Sequence, residues 1–248
     1  MTQQALVMAV VFLLAFTGLL LFFTARITAG HSLALRQIRA FDRLKGLVGR
    51  SVESGRALHL SLGMGGLADQ TTADSLAGLA VLNYLAGQAA TTGAPPLVSM
   101  ADPTVMLFAQ NAIRAAYGDD TEGAEAAYRH IRWIAPQPAA YAAGVMNMLD
   151  LDEVDSNVMI GKFGDEYLLM GETAARRGVA HIGGTSDPNT LPFVYATADE
   201  ILLGEEIYAA GAYLQKRPAL LASLAAQDSM RWLVALVILG SILLASLR

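Results

Sequence analysis

The segment Gly63-Met64-Gly65-Gly66-Leu67-Ala68 carries glycines at the spacing of a loop whose backbone amides can approach a phosphate closely. It follows the apolar run Ala57–Leu62 and precedes the alanine-rich stretch Thr72–Ala90, so a strand would feed the loop and a helix would leave it. Two features argue against a dinucleotide there. Asp69-Gln70-Thr71 separates the glycines from the helix start, and residues 84–95 hold no acid to grip a ribose, the next being Asp102. The glycines are therefore read first as the means of a tight turn at a strand end, with NAD binding second.

Other candidate strands also end in small or polar residues: Ser99-Met100-Ala101-Asp102, Gly161-Lys162-Phe163-Gly164-Asp165-Glu166 and Gly183-Gly184-Thr185-Ser186-Asp187. In an open parallel sheet such ends gather along one edge, where ligands bind. The candidate ligand-binding set is Gly63, Gly65, Gly66, Asp102, Lys162, Asp165, Thr185 and Ser186. Lys162 could meet an anion, Thr185 and Ser186 could donate hydrogen bonds, and Asp165 with Glu166 suits a helix N-terminus. Glu172 is expected to pair with Arg176 one helical turn away. His31, His59, His130 and His181 form no ligand-spaced pair and are read as structural, and nucleophile-elbow, P-loop and calcium-loop motifs are absent. With no cysteine the chain has neither disulfides nor thiolate metal sites. No catalytic residue, cofactor or metal is assigned.

The elements that would position this set alternate. Candidate strands are Ala57–Leu62, Pro96–Met100, His130–Ala135, Asn157–Gly161 and Val179–Ile182; candidate helices are Thr72–Ala90, Pro103–Tyr117, Pro138–Leu149, Asp165–Arg177 and Ala198–Gln215. Five strand-then-helix units predict an α/β fold with a Rossmann-like, doubly wound parallel sheet over about residues 51–217. Thr71-x-x-Asp74 resembles a capping box, and Asp119–Glu125 reads as an exposed loop. Residues 31–50 place Leu35, Ile38, Phe41, Leu44 and Val48 at helical spacing, read as an amphipathic stalk helix on the membrane surface.

The ends are apolar. Residues 5–24 are uncharged and long enough to cross a hydrocarbon layer of ~30 Å, with MTQQ too poor in basic residues for a signal peptide. A C-terminal helix over 218–247 includes a second span, 232–247, flanked by Arg231 and Arg248. Arg26, Arg36, Arg39, Arg43, Lys45, Arg50 and Arg56 follow the first span, and Lys216, Arg217 and Arg231 precede the second. The positive-inside bias then predicts an inner-membrane protein with a cytoplasmic main domain and both termini on the opposite side. These basic residues are read as topology and lipid contact. A net charge of −5 spread over the body predicts no nucleic-acid partner.

The strings GRSVESGRALHLSLG, NVMIGKFGDEYLLMGETAARRG, IGGTSDPNTLPFVYAT and GEEIYAAGAYL resemble an uncharacterised family of bacterial membrane proteins known only as a domain of unknown function, over about Gly49–Asp228. The resemblance implies flanking transmembrane helices and a Rossmann-like body, and brings no activity or site residue. Alanine-rich helices such as ADSLAGLAVLNYLAG leave too few polar residues to coat a monomer, so self-association is expected. The expected role is a membrane-anchored homo-oligomeric scaffold; the alternative is a sensor or binding module for a nucleotide or small anionic ligand at the strand ends. An enzyme ranks third.

Overall fold

The computed structural model describes residues 3–31, 33 and 35–246, without the side chain of Leu244; Leu247, expected to end the second span, and Arg248, expected to flank it, lie outside the described residues. The chain divides into two units, Met1–Gln37 with Lys216–Arg248, and Ile38–Gln215.

The first unit contains α1 (Gln3–Thr28) and α10 (Pro218–Ser246), which pack on each other. Both are long and apolar enough to cross a membrane.

The second unit is an α/β domain with six parallel strands: β1 (Ala57–Gly63), β2 (Leu97–Met100), β3 (Ile131–Trp133), β4 (Val154–Lys162), β5 (Ala180–Thr185) and β6 (Glu200–Leu203). Their order, β3-β2-β1-β4-β5-β6, is that of a Rossmann-like doubly wound sheet, reversing direction between β1 and β4. β1 and β4 are buried along nearly their whole length, as parallel strands covered on both faces must be. One face carries α2 (Arg39–Ser54), α3 (Thr72–Thr92), α4 (Pro103–Tyr117) and α9 (Ala210–Gln215). The other carries α6 (Pro138–Leu151), α7 (Glu166–Arg176) and α8 (Leu191–Thr197). At Gly78, α3 lies so near the sheet that a Cβ would come 2.6 Å from the Ile160 carbonyl oxygen.

Four expectations are corrected. The stalk helix starts at Arg39 rather than 31, and its apolar stripe is not free to face a membrane surface. Its stripe Phe41, Leu44, Leu47 and Val48 is buried against the α/β unit, each side chain contributing roughly 1.5–3 kcal/mol. Part of the basic cluster serves this docking: Arg50 makes a two-pronged pair with Asp155 on β4 (2.6 and 3.1 Å), and Arg43 lies 3.7 Å from Glu200. The polar stretch Asp119–Glu125 is not a loop throughout, because Asp120 caps Gly123 N (2.9 Å) and starts α5 (Thr121–Tyr128), which buries Ala124 and Ala127. The long helix expected over Ala198–Gln215 is broken at Gly204 (φ +56°) into β6, a 3-10 turn (Gly204–Ala209) and α9. Its apolar spacing suited a helix, and a four-residue edge strand is too short to declare a period of two.

Candidate functional site

Strand order reverses at β1 and β4, the switch point at which loops leaving a doubly wound sheet part and a ligand gap is expected. Gly63 ends β1 at φ +79°, a conformation only glycine adopts cheaply, and a Cβ there would run into the Lys162 carbonyl oxygen. Met64 N donates to that carbonyl at 2.8 Å, tying the glycine loop to β4. Gly65 then passes over the first turn of α3. A Cβ on it would lie 2.6 Å from Ser75 Oγ, 3.1 Å from Thr71 Oγ1 and 3.2 Å from Lys162 Cβ. At Gly66 a Cβ would sit 3.0 Å from Asp102 Oδ2 and 3.5 Å from Asp69 Oδ2.

The loop supports itself with side chains. Gly66 N donates to Thr71 Oγ1 (2.9 Å), whose hydroxyl donates to Asp69 Oδ1 (2.6 Å). The Thr71 hydroxyl first, and then Thr71 N, which donates to the same Oδ1 at 2.8 Å, hold the exposed Asp69 carboxyl below its usual range. Thr71 is thus spent on the loop and makes no side-chain cap on α3, so the capping box expected from Thr71-x-x-Asp74 does not form. Asp74 instead turns away from its own helix and accepts from Ser186 Oγ (2.7 Å) and Tyr208 OH (2.6 Å). Across the gap the Lys162 ammonium pairs with Asp187, a contact that, with Asn189 N, lowers the Asp187 carboxyl below its ordinary value.

Of the residues picked from sequence, Gly63, Gly65, Gly66, Asp102, Lys162 and Ser186 come together here. Asp102 also caps α4, accepting from Thr104 N at 2.7 Å. Asp165 does not join them: it is exposed at the start of α7 and makes no cap bond. Thr185 is buried at the end of β5, and Gly183 and Gly184 in β5, like Lys162 in β4, prove to be strand rather than loop residues. Its hydroxyl braces the loop from beneath, accepting from Asp187 N at 3.3 Å. Asp74, Ser75 and Tyr208 were missed. Ser75 is fully buried, and its hydroxyl has no hydrogen-bond partner, the one such group among the described residues.

A second polar cluster runs beneath the α6 and α7 face of the sheet, its members drawn from six separate elements. Ser61 Oγ meets Tyr141 OH (2.7 Å), which meets Ser99 Oγ (3.1 Å), which meets His59 Nε2 (2.9 Å). His59 Nδ1 continues to Asn157 Oδ1 (2.7 Å), Asn157 Nδ2 to His181 Nδ1 (3.2 Å), and His181 Nε2 to Tyr167 OH (3.0 Å). Every member is buried. Gly183 admits the Tyr167 hydroxyl, which a Cβ would strike. Burial lowers both His59 and His181 to about 4 and pushes Tyr141 up to about 12, so the whole ladder is uncharged at neutral pH. Its alternate-residue spacing, His59 and Ser61, was the available signal: both point to one face of a strand that is otherwise fully apolar.

Among the described residues no group of three or more His, Asp or Glu side chains is arranged to hold a metal ion. The gap's rim carries four carboxylates, Asp69, Asp74, Asp102 and Asp187, around one cation, Lys162.

Fold and site together define a class: a doubly wound α/β unit with a polar loop cluster at its switch point, carried on a chain that has a membrane-length helix at each end. The chain belongs to the family described as a domain of unknown function, DUF6754, whose profile matches residues 1–248. No curated protein and no solved structure matches it at a significant level.

Proposed function

We propose that the chain is a membrane-anchored binding module, its α/β unit facing the cytoplasm, that takes a small anionic ligand at the gap between β1 and β4. The observation that carries this reading is the Ser75 hydroxyl, buried and unpartnered in the first turn of α3, beneath Gly65 and beside Lys162. A buried hydroxyl without a partner costs about 1–3 kcal/mol, which a ligand oxygen would relieve. The N-terminal end of a 21-residue helix adds a favourable field for that oxygen. Binding shifts Gly65 off Ser75, and Lys162 exchanges Asp187 for the ligand. Four carboxylates on the rim oppose a highly charged guest. The site therefore suits one phosphate or carboxylate group on a mostly neutral body, such as a nucleoside monophosphate, better than a triphosphate. Arg26 at the end of α1, with Lys216 and Arg217 before α10, supports the cytoplasmic orientation and an inner-membrane location with both termini outside.

The test is thermal shift of the full chain in mild detergent with inorganic phosphate, adenosine monophosphate and small carboxylates. A guest at ~100 times its Kd raises stability by ~2.7 kcal/mol. Ser75→Ala should abolish the shift while leaving the unliganded melting temperature unchanged or higher, since it removes an unsatisfied group. Lys162→Ala should also abolish it. Asp187→Asn should tighten binding by freeing Lys162. The reading fails if none of these anions shifts the protein, or if Asp187→Asn binds no better.

A further inference from the structure

Asp69 and Asp102 hold their carboxylates in the same way. Each is followed two residues on by a threonine that gives both its backbone N–H and its hydroxyl to Oδ1: Thr71 N (2.8 Å) and Thr71 Oγ1 (2.6 Å) for Asp69, Thr104 N (2.7 Å) and Thr104 Oγ1 for Asp102. Two donors on one oxygen fix the side chain and leave Oδ2 over. Among the described residues neither Oδ2 has a donor. Both border one spot on the glycine loop, since a Cβ on Gly66 would lie 3.0 Å from Oδ2 of Asp102 and 3.5 Å from Oδ2 of Asp69. Gly66 is not one of the glycines with positive φ. Its missing side chain therefore serves space, not backbone conformation.

Charge around that spot is one-sided. Of the rim acids Asp69, Asp74, Asp102 and Asp187, only Asp187 has a cation at ion-pair distance among the described residues, Lys162. Asp74 is served by the hydroxyls of Ser186 and Tyr208. One step back along the loop, at Gly65, the demand is opposite: the buried, unpartnered Ser75 hydroxyl offers a proton and Lys162 a positive charge. Consecutive Cα atoms stand ~3.8 Å apart, so a spot that seeks an anion and a spot that seeks a cation lie side by side. The spare oxygens of Asp69 and Asp102 repel a guest that is only an anion. They attract one whose anionic group has a protonated amine beside it.

We propose that the guest of this site is a small zwitterion, its acid group at Ser75 and Lys162 and its ammonium between Asp69 and Asp102. An ammonium only donates hydrogen bonds, which suits two oxygens that lack a donor, and hydrogen bonds between ions are the strong ones. Amino acids and aminoalkyl phosphates share this chemistry, an acid and an amine on the same or a nearby carbon. The inference rests on the ligand reading above and narrows it from monoanions in general to those that carry their own countercharge. Asp69 and Asp102 then set specificity through charge.

The test is thermal shift of the full chain in mild detergent, with a chelator present so that no divalent cation bridges the two carboxylates. It compares guests that differ only in the amine: alanine with propionate, and phosphoethanolamine with ethyl phosphate. In one pair at least, the amine-bearing member should bind about tenfold more tightly, the factor expected of a hydrogen bond to a charged group. The pair that responds tells an amino acid from an aminoalkyl phosphate. Asp102→Asn keeps Oδ1 for Thr104 and an equally good cap for α4 while removing the charge. It should weaken the amine-bearing guest about tenfold and tighten the amine-free one, because an attraction is lost for the first and a repulsion for the second. Asp69→Asn should do the same. A general loosening of the loop would weaken both guests. No preference for the amine in either pair, or variants that move both members of a pair alike or move neither, would overturn this inference and leave the ligand reading standing. If inorganic phosphate and adenosine monophosphate also gave no shift, the ligand reading would fall with it.

Discussion

The α/β unit holds two polar clusters, both reached by β1, and they are finished to different degrees. The ladder from Ser61 to Tyr167 lies in the sheet's interior, and each of its members has a partner. The gap beyond the strand ends keeps a sealed hydroxyl with none, and its single lysine is held by one of four nearby acids. Complete satisfaction makes a buried network a device for fixing strand register and helix placement; the ladder crosses β2, β1, β4 and β5 and pins α6 and α7 through one tyrosine each. An unfinished one leaves free energy for something else to supply. That contrast places His59 and His181 in the architecture, and it is the reason the proposed ligand site centres on the serine at position 75.

The contrast can be broken, most forcefully, with acid. His59 and His181 resist protonation until about pH 4 when folded, whereas the unfolded residues protonate near 6.5. Stability should be fully present above pH 6.5, fall as pH drops through the window to about 4, and level off below it, each histidine accounting for up to about 3 kcal/mol. Melting of the full chain between pH 4 and 8 measures this; a flat profile would mean the ladder is open to water. Next, Asn157→Leu removes the link between the two imidazoles and should cost about 3 kcal/mol, lowering the melting temperature without altering the relative effect of phosphate at the gap. Gly63→Ala should cost about 2 kcal/mol, because it combines a positive φ with a collision at the Lys162 carbonyl. Unlike the ladder change, it should also weaken the anion response. Smallest of all, Glu172→Ala loosens an exposed pair with Arg176 (3.8 Å) and should move the melting point by less than the equivalent of about 0.5 kcal/mol. This sets the baseline for a polar contact that belongs to neither cluster.

Much of this architecture was readable from the chain as text. Strand-helix alternation gave the doubly wound class and five of six strands, since short apolar runs such as Leu58-x-Leu60-x-Leu62 in β1 and Val158-Met159-Ile160 in β4 end at glycine. Where reading stopped, the cause was physical. The strand β6 hides within a stretch that also satisfies helical spacing, and α5 begins in a run of acids whose capping role appears only when Asp120 meets Gly123 N. The meeting of Gly63 and Gly65 with Lys162 was legible because each is local to its own strand end. Asp74 and Tyr208 stand 134 positions apart, and neither carries a mark that the other will be its partner. His59 and His181 looked isolated because their connection runs through Asn157, an ordinary amide in a different strand.

One further consequence follows from α2. Phe41, three residues inside the first border of the α/β unit, stacks on Tyr213, two residues from the last, with ring centroids 5.0 Å apart. Entry and exit of this 178-residue body are thereby clasped side by side, as a locket is closed at its hinge. Tension drawn apart along the two connecting segments would strain that aromatic clasp before it reached the strand ladder. In chain order the whole sheet is an insertion between two helices, and its paired ends let it be threaded there without parting them.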